Sequence, residues 1–218
     1  MILDILPESP PAFFNFFAGP NLELVSTLTH STQPAPPFSD AQVLFLWGET
    51  GVGKTHLLKA WAAASHAEYW HASAWQAALA EDQTLFALDA AEALSPAAQI
   101  GLFSRINRAR EEGGRILVSG ERPPARLGLR EDLATRLAQG LVFRIHPLSD
   151  QDKLHALRLR ADARGMRLTD DVARHLLLHC RRDLPHLLAA LDALDTRSLR
   201  LKRPATIVLL REMLQSET

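Results

Sequence analysis

The chain has 218 residues, of which 47% are hydrophobic and 22% are charged, and its formal net charge at pH 7 is −1. This length suits one large domain or a domain with a small appendage, and the composition excludes a disordered regulator. The balanced charge argues against a dedicated DNA-binding module, although it leaves room for a local basic patch. Cys180 is the single cysteine, so no disulfide forms within the chain, as expected in a reducing compartment.

The first residues lack the basic stretch of a secretory signal, and Asp4 and Pro7 interrupt their apolar run. Pro7, Pro10 and Pro11 instead predict an extended arm over residues 1–11. No apolar run has the length of a membrane span. The sequence therefore predicts a cytoplasmic protein with no membrane partner.

Strands and helices alternate up to residue 147. Leu22, Leu24, Val25 and Leu28 have near-helical spacing. Helices are also predicted from Lys54 to Ser65 and from Pro96 to about Arg110, the second capped by Ser95 and stopped by glycines 113 and 114. Short apolar runs predict strands at 43–47, 67–71, 85–88, 115–118 and 141–145. This alternation predicts an α/β fold with a parallel five-stranded sheet flanked by helices.

The pattern changes after Pro147, where helices dominate. Ser149 and Thr169 are candidate N-caps for helices at about 150–164 and 170–179, and a third helix is predicted over 183–196. A strand-type run appears only at Thr206-Ile207-Val208. We therefore predict a nucleotide-binding α/β domain over 12–148 and a small helical subdomain over 149–218.

One segment matches the phosphate-binding pattern GxxxxGK(S/T) at every fixed position and lies between a predicted strand and a predicted helix. It consists of Gly48, Glu49, Thr50, Gly51, Val52, Gly53, Lys54 and Thr55. Its glycines let backbone N–H groups surround phosphate oxygens, Lys54 reaches the β- and γ-phosphates, and the Thr55 hydroxyl is placed to bind Mg²⁺. The strand–helix context disfavours the alternative of a glycine-rich turn without a ligand. The sequence thus predicts binding of a nucleoside diphosphate or triphosphate.

A second magnesium anchor is expected at the end of a neighbouring strand, and Asp89 follows the apolar run 85–88. The alternative role for Asp89 is that of a helix N-cap. Many hydrolytic P-loop proteins carry a second acid next in sequence, but here that residue is Ala90, and Glu92 lies two residues further on. Nucleotide binding is therefore better supported than turnover.

Other polar residues give weaker evidence of a functional site. From spacing alone, Arg136 and Arg182 are ordinary surface arginines. His175 and His179 have the i, i+4 spacing of a zinc-binding helix face, with Cys180 and His186 nearby, but the spacing fits no common zinc motif. A polar helix edge is the simpler interpretation of the histidine pair.

Taken together, these residues resemble the AAA+ ATPases of the DnaA family, which includes the bacterial initiator DnaA and the shorter regulators of the Hda branch. Residues 13–21 (FFNFFAGPN) resemble the family segment FDNFVxGxxN, which lies beside the adenine. Residues 120–124 (GERPP) and 147–154 (PLSDQDKL) resemble the Hda-branch segments GDRPP and PLSDEDKL. The resemblance runs over nearly the full chain and implies an AAA+ P-loop domain with a C-terminal helical lid.

The resemblance also implies roles for individual residues. Phe16 and His56 join the P-loop in binding ADP or ATP with Mg²⁺, and Ser119 lies near the sensor 1 position. Arg136 matches the arginine finger, and Arg182 matches the sensor 2 arginine of the lid. In this interpretation, bound nucleotide (ADP above all) orders the cleft, and Arg136 acts in trans on the ATP of a DnaA molecule. The chain would then restrain replication initiation, with little ATPase activity of its own.

Three departures from the initiator shape the expected partners. The chain ends after the lid, so we expect no sequence-specific DNA-binding domain, and the short connection between the second and third strands argues against origin opening. Leu3, Asp4, Ile5 and Leu6 resemble the second half of a sliding-clamp motif of the form QLxLD or QLxLPL, but no Gln-Leu pair precedes them. The clamp is thus a candidate partner, with packing of this arm on the domain as the alternative. Homo-oligomerisation stays open.

Two rival functions also remain. The first is an autonomous P-loop ATPase of the loader or motor type. The second is an adaptor that binds nucleotide without hydrolysing it.

Overall fold

The structure is a computed structural model that describes residues 10–33, 43–75 and 84–215. The candidate clamp residues Leu3, Asp4, Ile5 and Leu6 lie outside these ranges. The described residues up to Pro147 form one compact unit, and those from Leu148 onward form a second. In the described parts of the chain, no helix is both long and apolar enough to cross a membrane.

The first unit is built around a parallel sheet whose strands lie in the order β2-β3-β4-β1-β5. The strands are β1 (Val43–Trp47), β2 (Glu68–His71), β3 (Leu85–Asp89), β4 (Arg115–Gly120) and β5 (Leu141–Arg144). The helices are α1 (Leu22–His30), α2 (Lys54–Ser65), α3 (Pro96–Glu112) and α4 (Glu131–Ala138). This architecture confirms the predicted α/β fold with a five-stranded parallel sheet.

Alternation of side chains along β1 shows why the sheet is covered on both faces. Val43 and Phe45 pack in one apolar core together with Leu102 of α3. Leu44 and Leu46 point to the other face and pack in a second core with α1 and α2. Because successive side chains of a strand point to opposite faces, a continuous apolar run such as VLFLW needs a helical layer on each side.

Parallel strands end at one edge of the sheet, and this edge carries the candidate site. The P-loop follows β1, Asp89 ends β3, and Ser119 lies next to last in β4. β3 pairs with β4, and β4 pairs with β1, so these three strand ends are adjacent. Ligands of open α/β sheets bind at such carboxyl-terminal edges.

The second unit is helical. Its helices are α5 (Asp150–Ala163), α6 (Asp170–His179), α7 (Leu184–Leu201) and α8 (Ile207–Gln215). Leu157, Leu176, Leu191 and Leu210 are fully buried in its core, one from each helix. The predicted helical lid is thereby confirmed as a fold element.

Two of the predicted N-caps are formed. The hydroxyls of Ser95 and Ser149 accept hydrogen bonds from the backbone N–H of the third residue of α3 and of α5, as their N-cap positions predict. Thr169 occupies the N-cap position of α6 without a side-chain cap bond. The third lid helix runs on to Leu201, beyond the predicted end at 196.

One prediction of local structure was wrong. The β-branched run Thr206-Ile207-Val208 leads into α8 and forms no strand. Leu209, Leu210 and Met213 recur at helical spacing and are buried in the lid core, so tertiary packing overrides the local strand preference.

Candidate functional site

The P-loop has the backbone geometry that its glycines allow. Gly51 and Gly53 have φ values of +83° and +103°, in the left-handed region, which glycine occupies without a steric cost. The Lys54 ammonium donates to the carbonyls of Gly48 and Glu49 at 2.7 and 3.0 Å. Helix α2 begins at Lys54, and no acidic residue lies in its first turn. Its unpaired N–H groups and dipole therefore make this turn suited to an anion.

Phe16 forms a wall against this loop. A Cβ atom on Gly53 would lie 2.7 Å from Cε2 of Phe16, so glycine is needed for the ring to approach. The Phe16 ring also lies 5.5 Å, centroid to centroid, from the ring of His56 on α2. Nε2 of His56 lies 3.1 Å from the Ala12 carbonyl oxygen. The aromatic segment before α1 is thus fastened to the start of α2.

Asn21 joins the same segment to the backbone that follows β5. Its side-chain amide donates to the carbonyls of Ala18 and His146 at 3.0 and 2.9 Å. Its side-chain oxygen accepts the His146 N–H at 2.7 Å. Asn21 is almost fully buried, so this pairing fixes the segment that carries Phe16.

Asp89, which is itself buried, is the centre of a hydroxyl network. Its carboxylate accepts hydrogen bonds from Thr55 at 2.6 Å, from Tyr69 at 2.9 Å, and from the Ser119 hydroxyl. The turn after β3 is capped by Ala90, so Asp89 does not act as a helix N-cap. The Thr55 hydroxyl and the Asp89 carboxylate offer the oxygen ligands that Mg²⁺ prefers, and they are in direct contact.

The network also sets the protonation of its members. Burial alone raises the pKa of Asp89, but hydrogen bonds from Ser119, Thr55 and Tyr69 together outweigh it and hold the pKa below its usual value. Burial and the hydrogen bond to Asp89 raise the pKa of Tyr69 well above its usual value. Asp89 is therefore an anion at neutral pH, while Tyr69 is a neutral donor.

The position after Asp89 carries no acid. Ala90 has a φ of +59°, and its N–H donates to the Ser119 hydroxyl at 3.0 Å. Glu92 lies exposed on the short turn that follows. The Ala90 methyl group has no capacity to orient or deprotonate a water molecule.

Two residues near the site were missed by sequence reasoning. Tyr69 lies in β2, and only the three-dimensional contact reveals its bond to Asp89. Glu121 follows β4, and its carboxylate accepts from the P-loop Thr50 hydroxyl at 3.4 Å. Glu121 could have been predicted from the sequence, because an acid directly after a parallel strand lies at the same edge of the sheet as the P-loop.

Arg136 lies on α4, in an open groove of about 780 Å³. Its guanidinium donates to the Gln139 side-chain oxygen at 3.0 Å and lies 5.9 Å above the Phe103 ring. Arg110 donates to the same Gln139 oxygen at 3.3 Å. Within the described residues, the polar and ring contacts of Arg136 involve Gln139 and Phe103 and no P-loop residue.

The remaining predicted residues lie in the second unit. Arg182, just before α7, is mostly exposed and forms a 2.6 Å ion pair with Asp150. The rings of His175 and His179 lie 4.0 Å apart, and partial burial together with the neighbouring charges lowers the pKa of His175. In the parts of the chain that the structure describes, no group of three His, Cys, Asp or Glu side chains is placed to hold a metal ion.

Comparison with known proteins gives two family matches. Residues 9–76 match the bacterial DnaA ATPase domain, and residues 150–214 match the lid domain of Hda.

Solved structures of similar fold include domain III of the replication initiation protein DnaA from Thermotoga maritima (TM-score 0.73, 18% identity, covering 94% of this chain and 95% of that one). AMPPCP-bound DnaA from Aquifex aeolicus gives a TM-score of 0.72 at 20% identity, over 86% of this chain and 66% of that one. The RuvB Holliday junction branch migration motor of Thermotoga maritima gives 0.63 at 14%, over 80% and 61%. The chain is an AAA+ protein related to DnaA and Hda.

Proposed function

We propose that this chain binds an adenine nucleotide and uses Arg136 to stimulate hydrolysis of ATP bound to a DnaA molecule. It would thereby act as a negative regulator of replication initiation in the cytoplasm. The observation that carries the proposal is the position of Arg136 in an open groove, held by Gln139 and Phe103, with no described contact to the chain's own P-loop.

Nucleotide binding is supported by the P-loop and its surroundings. The Lys54 ammonium and the first turn of α2 provide positive charge and free N–H groups for phosphates. Phe16 and His56 provide an aromatic wall beside the loop, where an adenine ring would stack. Thr55 and Asp89 would hold Mg²⁺, which would neutralise part of the phosphate charge. DnaA from Aquifex aeolicus has been solved with AMPPCP bound, which agrees with this assignment.

Weak hydrolysis in the chain's own site follows from the residue after Asp89. Attack of water on a γ-phosphate needs a group that orients the water, and the Ala90 methyl cannot do so. The left-handed backbone of Ala90 and its bond to Ser119 fix this arrangement. We therefore assign the bound nucleotide, with ADP favoured, a structural role.

Arg136 would act on the partner's nucleotide. A guanidinium brought to the γ-phosphate neutralises charge that develops as the phosphoryl group leaves, and such fingers contribute roughly 10³ to 10⁵ in rate. Gln139 and Phe103 restrict the Arg136 side chain before the partner arrives, which lowers the entropic cost of positioning it. Arg182, by resemblance a sensor 2 residue, would respond to nucleotide in the chain's own site.

The sliding clamp is the proposed second partner. This part of the proposal rests on Leu3, Asp4, Ile5 and Leu6, which lie outside the described residues. A clamp on DNA would raise the local concentration of the two AAA+ proteins, so that a weak direct contact suffices.

An autonomous ATPase is the second candidate, and the direct Thr55–Asp89 contact favours it because both magnesium anchors are in place. A turnover assay with radiolabelled ATP separates the candidates. The isolated chain and its Lys54→Ala variant are measured first, and then DnaA with clamp-loaded DNA and added wild type, Lys54→Ala or Arg136→Ala.

The proposal expects slow turnover by the isolated chain, and stimulation of DnaA that Arg136→Ala removes while ADP binding is retained. Rapid turnover by the isolated chain that Lys54→Ala abolishes would favour the autonomous ATPase. Equal stimulation by wild type and Arg136→Ala would favour a non-hydrolysing adaptor.

A further inference from the structure

Among the described residues of the first unit, Arg105 and Arg115 are the buried arginines. Arg115 begins β4, at the amino-terminal edge of the sheet, opposite to the edge that carries the P-loop. Only 9% of its surface is exposed, and its Nε atom is buried without a hydrogen-bond partner. No hydrogen bond or ion pair of its side chain occurs within the described ranges 10–33, 43–75 and 84–215. Buried guanidinium groups are normally paired, because an uncompensated buried charge is costly.

A cavity of about 370 Å³ adjoins this side chain. Its other described lining residues are Ser26, Thr27, His30, Ser31, Leu44 and Leu141. Two of the lining hydroxyls already donate to backbone carbonyls, Thr27 to Glu23 and Ser31 to Leu28, whereas the Ser26 hydroxyl has no such bond among the described residues. No carboxylate belongs to the described lining. Burial also lowers the pKa of Arg115, as expected for a cation with no counter-charge among the described residues.

The end of α1 does not explain the arginine. A cation near a helix C-terminus often binds the last carbonyls, but here those carbonyls already accept other donors. The Ser26 carbonyl lies 2.7 Å from Nδ1 of His30, and the carbonyls of Thr27 and Leu28 accept the Ser31 N–H at 3.0 and 3.1 Å. The guanidinium is thus not needed to cap the helix.

The walls of the cavity are held firmly. The Ser31 hydroxyl donates to the Leu28 carbonyl, and the indole N–H of Trp61 on α2 donates to Ser31 at 3.0 and 3.1 Å. On the other side, the Arg115 N–H donates to the Thr84 carbonyl at 2.7 Å. A ligand would therefore meet a preformed pocket, with little ordering to be done on binding.

We propose that this pocket is a binding site for a small oxyanion of the phosphate class, held by the Arg115 guanidinium and the Ser26 hydroxyl. The planar guanidinium offers paired N–H groups that match two oxygens of such an anion. The Ser26 hydroxyl adds one donor without adding charge. The site is separate from the P-loop and does not depend on the proposed action on DnaA.

The test uses inorganic phosphate as the probe. Because phosphate would also occupy the P-loop, the full chain carries Lys54→Ala throughout, and chloride at equal ionic strength is the reference. The melting temperature of this parent should rise with phosphate and saturate, since a ligand that binds the folded state stabilises it. Adding Arg115→Met should weaken the response at least about tenfold, the effect of losing a charge-assisted hydrogen bond.

Two further variants make the test decisive. Arg126→Met removes an exposed arginine of the same unit and should leave the phosphate response unchanged. Arg115→Lys keeps the charge without the paired N–H groups and should respond at reduced affinity. In chloride, Arg115→Met should melt no lower than the parent, because it removes a buried charge that has no counter-charge among the described residues. A parent with equal melting temperatures in phosphate and chloride, or an unchanged response in Arg115→Met, would overturn the proposal.

Discussion

Alanine replacements of the two left-handed P-loop glycines, compared with each other, separate the effect of backbone strain on stability from that of packing. Gly51 and Gly53 have similar φ values, +83° and +103°, so alanine at either position incurs about 1–2 kcal/mol of backbone strain. A Cβ at Gly51 meets no atom within 4 Å, whereas one at Gly53 lies 2.7 Å from the Phe16 ring. Overpacking of this kind adds about 1–3 kcal/mol. We therefore expect Gly53→Ala to destabilise the chain by about 2–5 kcal/mol and Gly51→Ala by about 1–2 kcal/mol.

Urea unfolding followed by circular dichroism measures both losses. Adding Phe16→Ala should relieve the clash in Gly53→Ala and have no such effect in Gly51→Ala, so the double-mutant coupling is confined to one pair. Equal destabilisation by the two glycine variants, with additive effects of Phe16→Ala in both, would refute the inferred contact between Phe16 and the loop.

Three other predictions concern the site. Phe16→Ala should weaken ADP binding about tenfold, because an aromatic–base stack is lost. Phe14→Ala changes a side chain that is 88% exposed and should leave ADP binding unchanged. Titration with a fluorescent ADP analogue compares the two variants. The pKa of Asp89 is lowered in the folded chain, so its contribution to stability is present above the unfolded pKa of about 3.9 and is lost as pH falls through the lower folded value. The difference in unfolding free energy between wild type and Asp89→Asn should therefore shrink from pH 7 to about pH 2, and a constant difference would contradict the network. Gln139→Leu removes the oxygen that accepts a hydrogen bond from Arg136. It should reduce the stimulated rate of ATP hydrolysis by DnaA about three- to tenfold and leave the affinity for ADP unchanged. An undiminished rate would show that Gln139 does not position Arg136.

The sequence predicted those features that depend on local pattern. The apolar run before Gly48 and the pattern GxxxxGK(S/T) are contiguous, so strand, loop and helix could be placed together. Asp89 was readable because it ends a buried strand. Ser95 and Ser149 were readable as caps because a cap acts on the residues that follow it.

Features that depend on distant contacts could not be predicted in the same way. Asn21 pairs with His146 across 125 positions, and no local sequence pattern near either residue predicts this pairing. Tyr69 looked like an ordinary strand residue until the fold placed it on Asp89. The helix that follows Thr206 formed against local preference, because burial of the leucines after it decides the outcome.

The partner of Gln139 and the surroundings of Arg115 also depend on the fold. Arg110 and Arg136 come from different helices and share one amide oxygen only because α3 and α4 pack together. Arg115 reads in sequence as the polar start of a strand, and its burial without a partner emerges only in three dimensions.

The most direct test of the central claim is a single-turnover measurement of ATP preloaded on DnaA, mixed with clamp-loaded DNA and this chain. Wild type and the control Arg126→Ala, which changes an exposed arginine outside the groove, should accelerate hydrolysis equally. Arg136→Ala should leave the rate at that of DnaA alone while retaining its own affinity for ADP. Acceleration by Arg136→Ala equal to that of wild type, or no acceleration by wild type, would contradict the account.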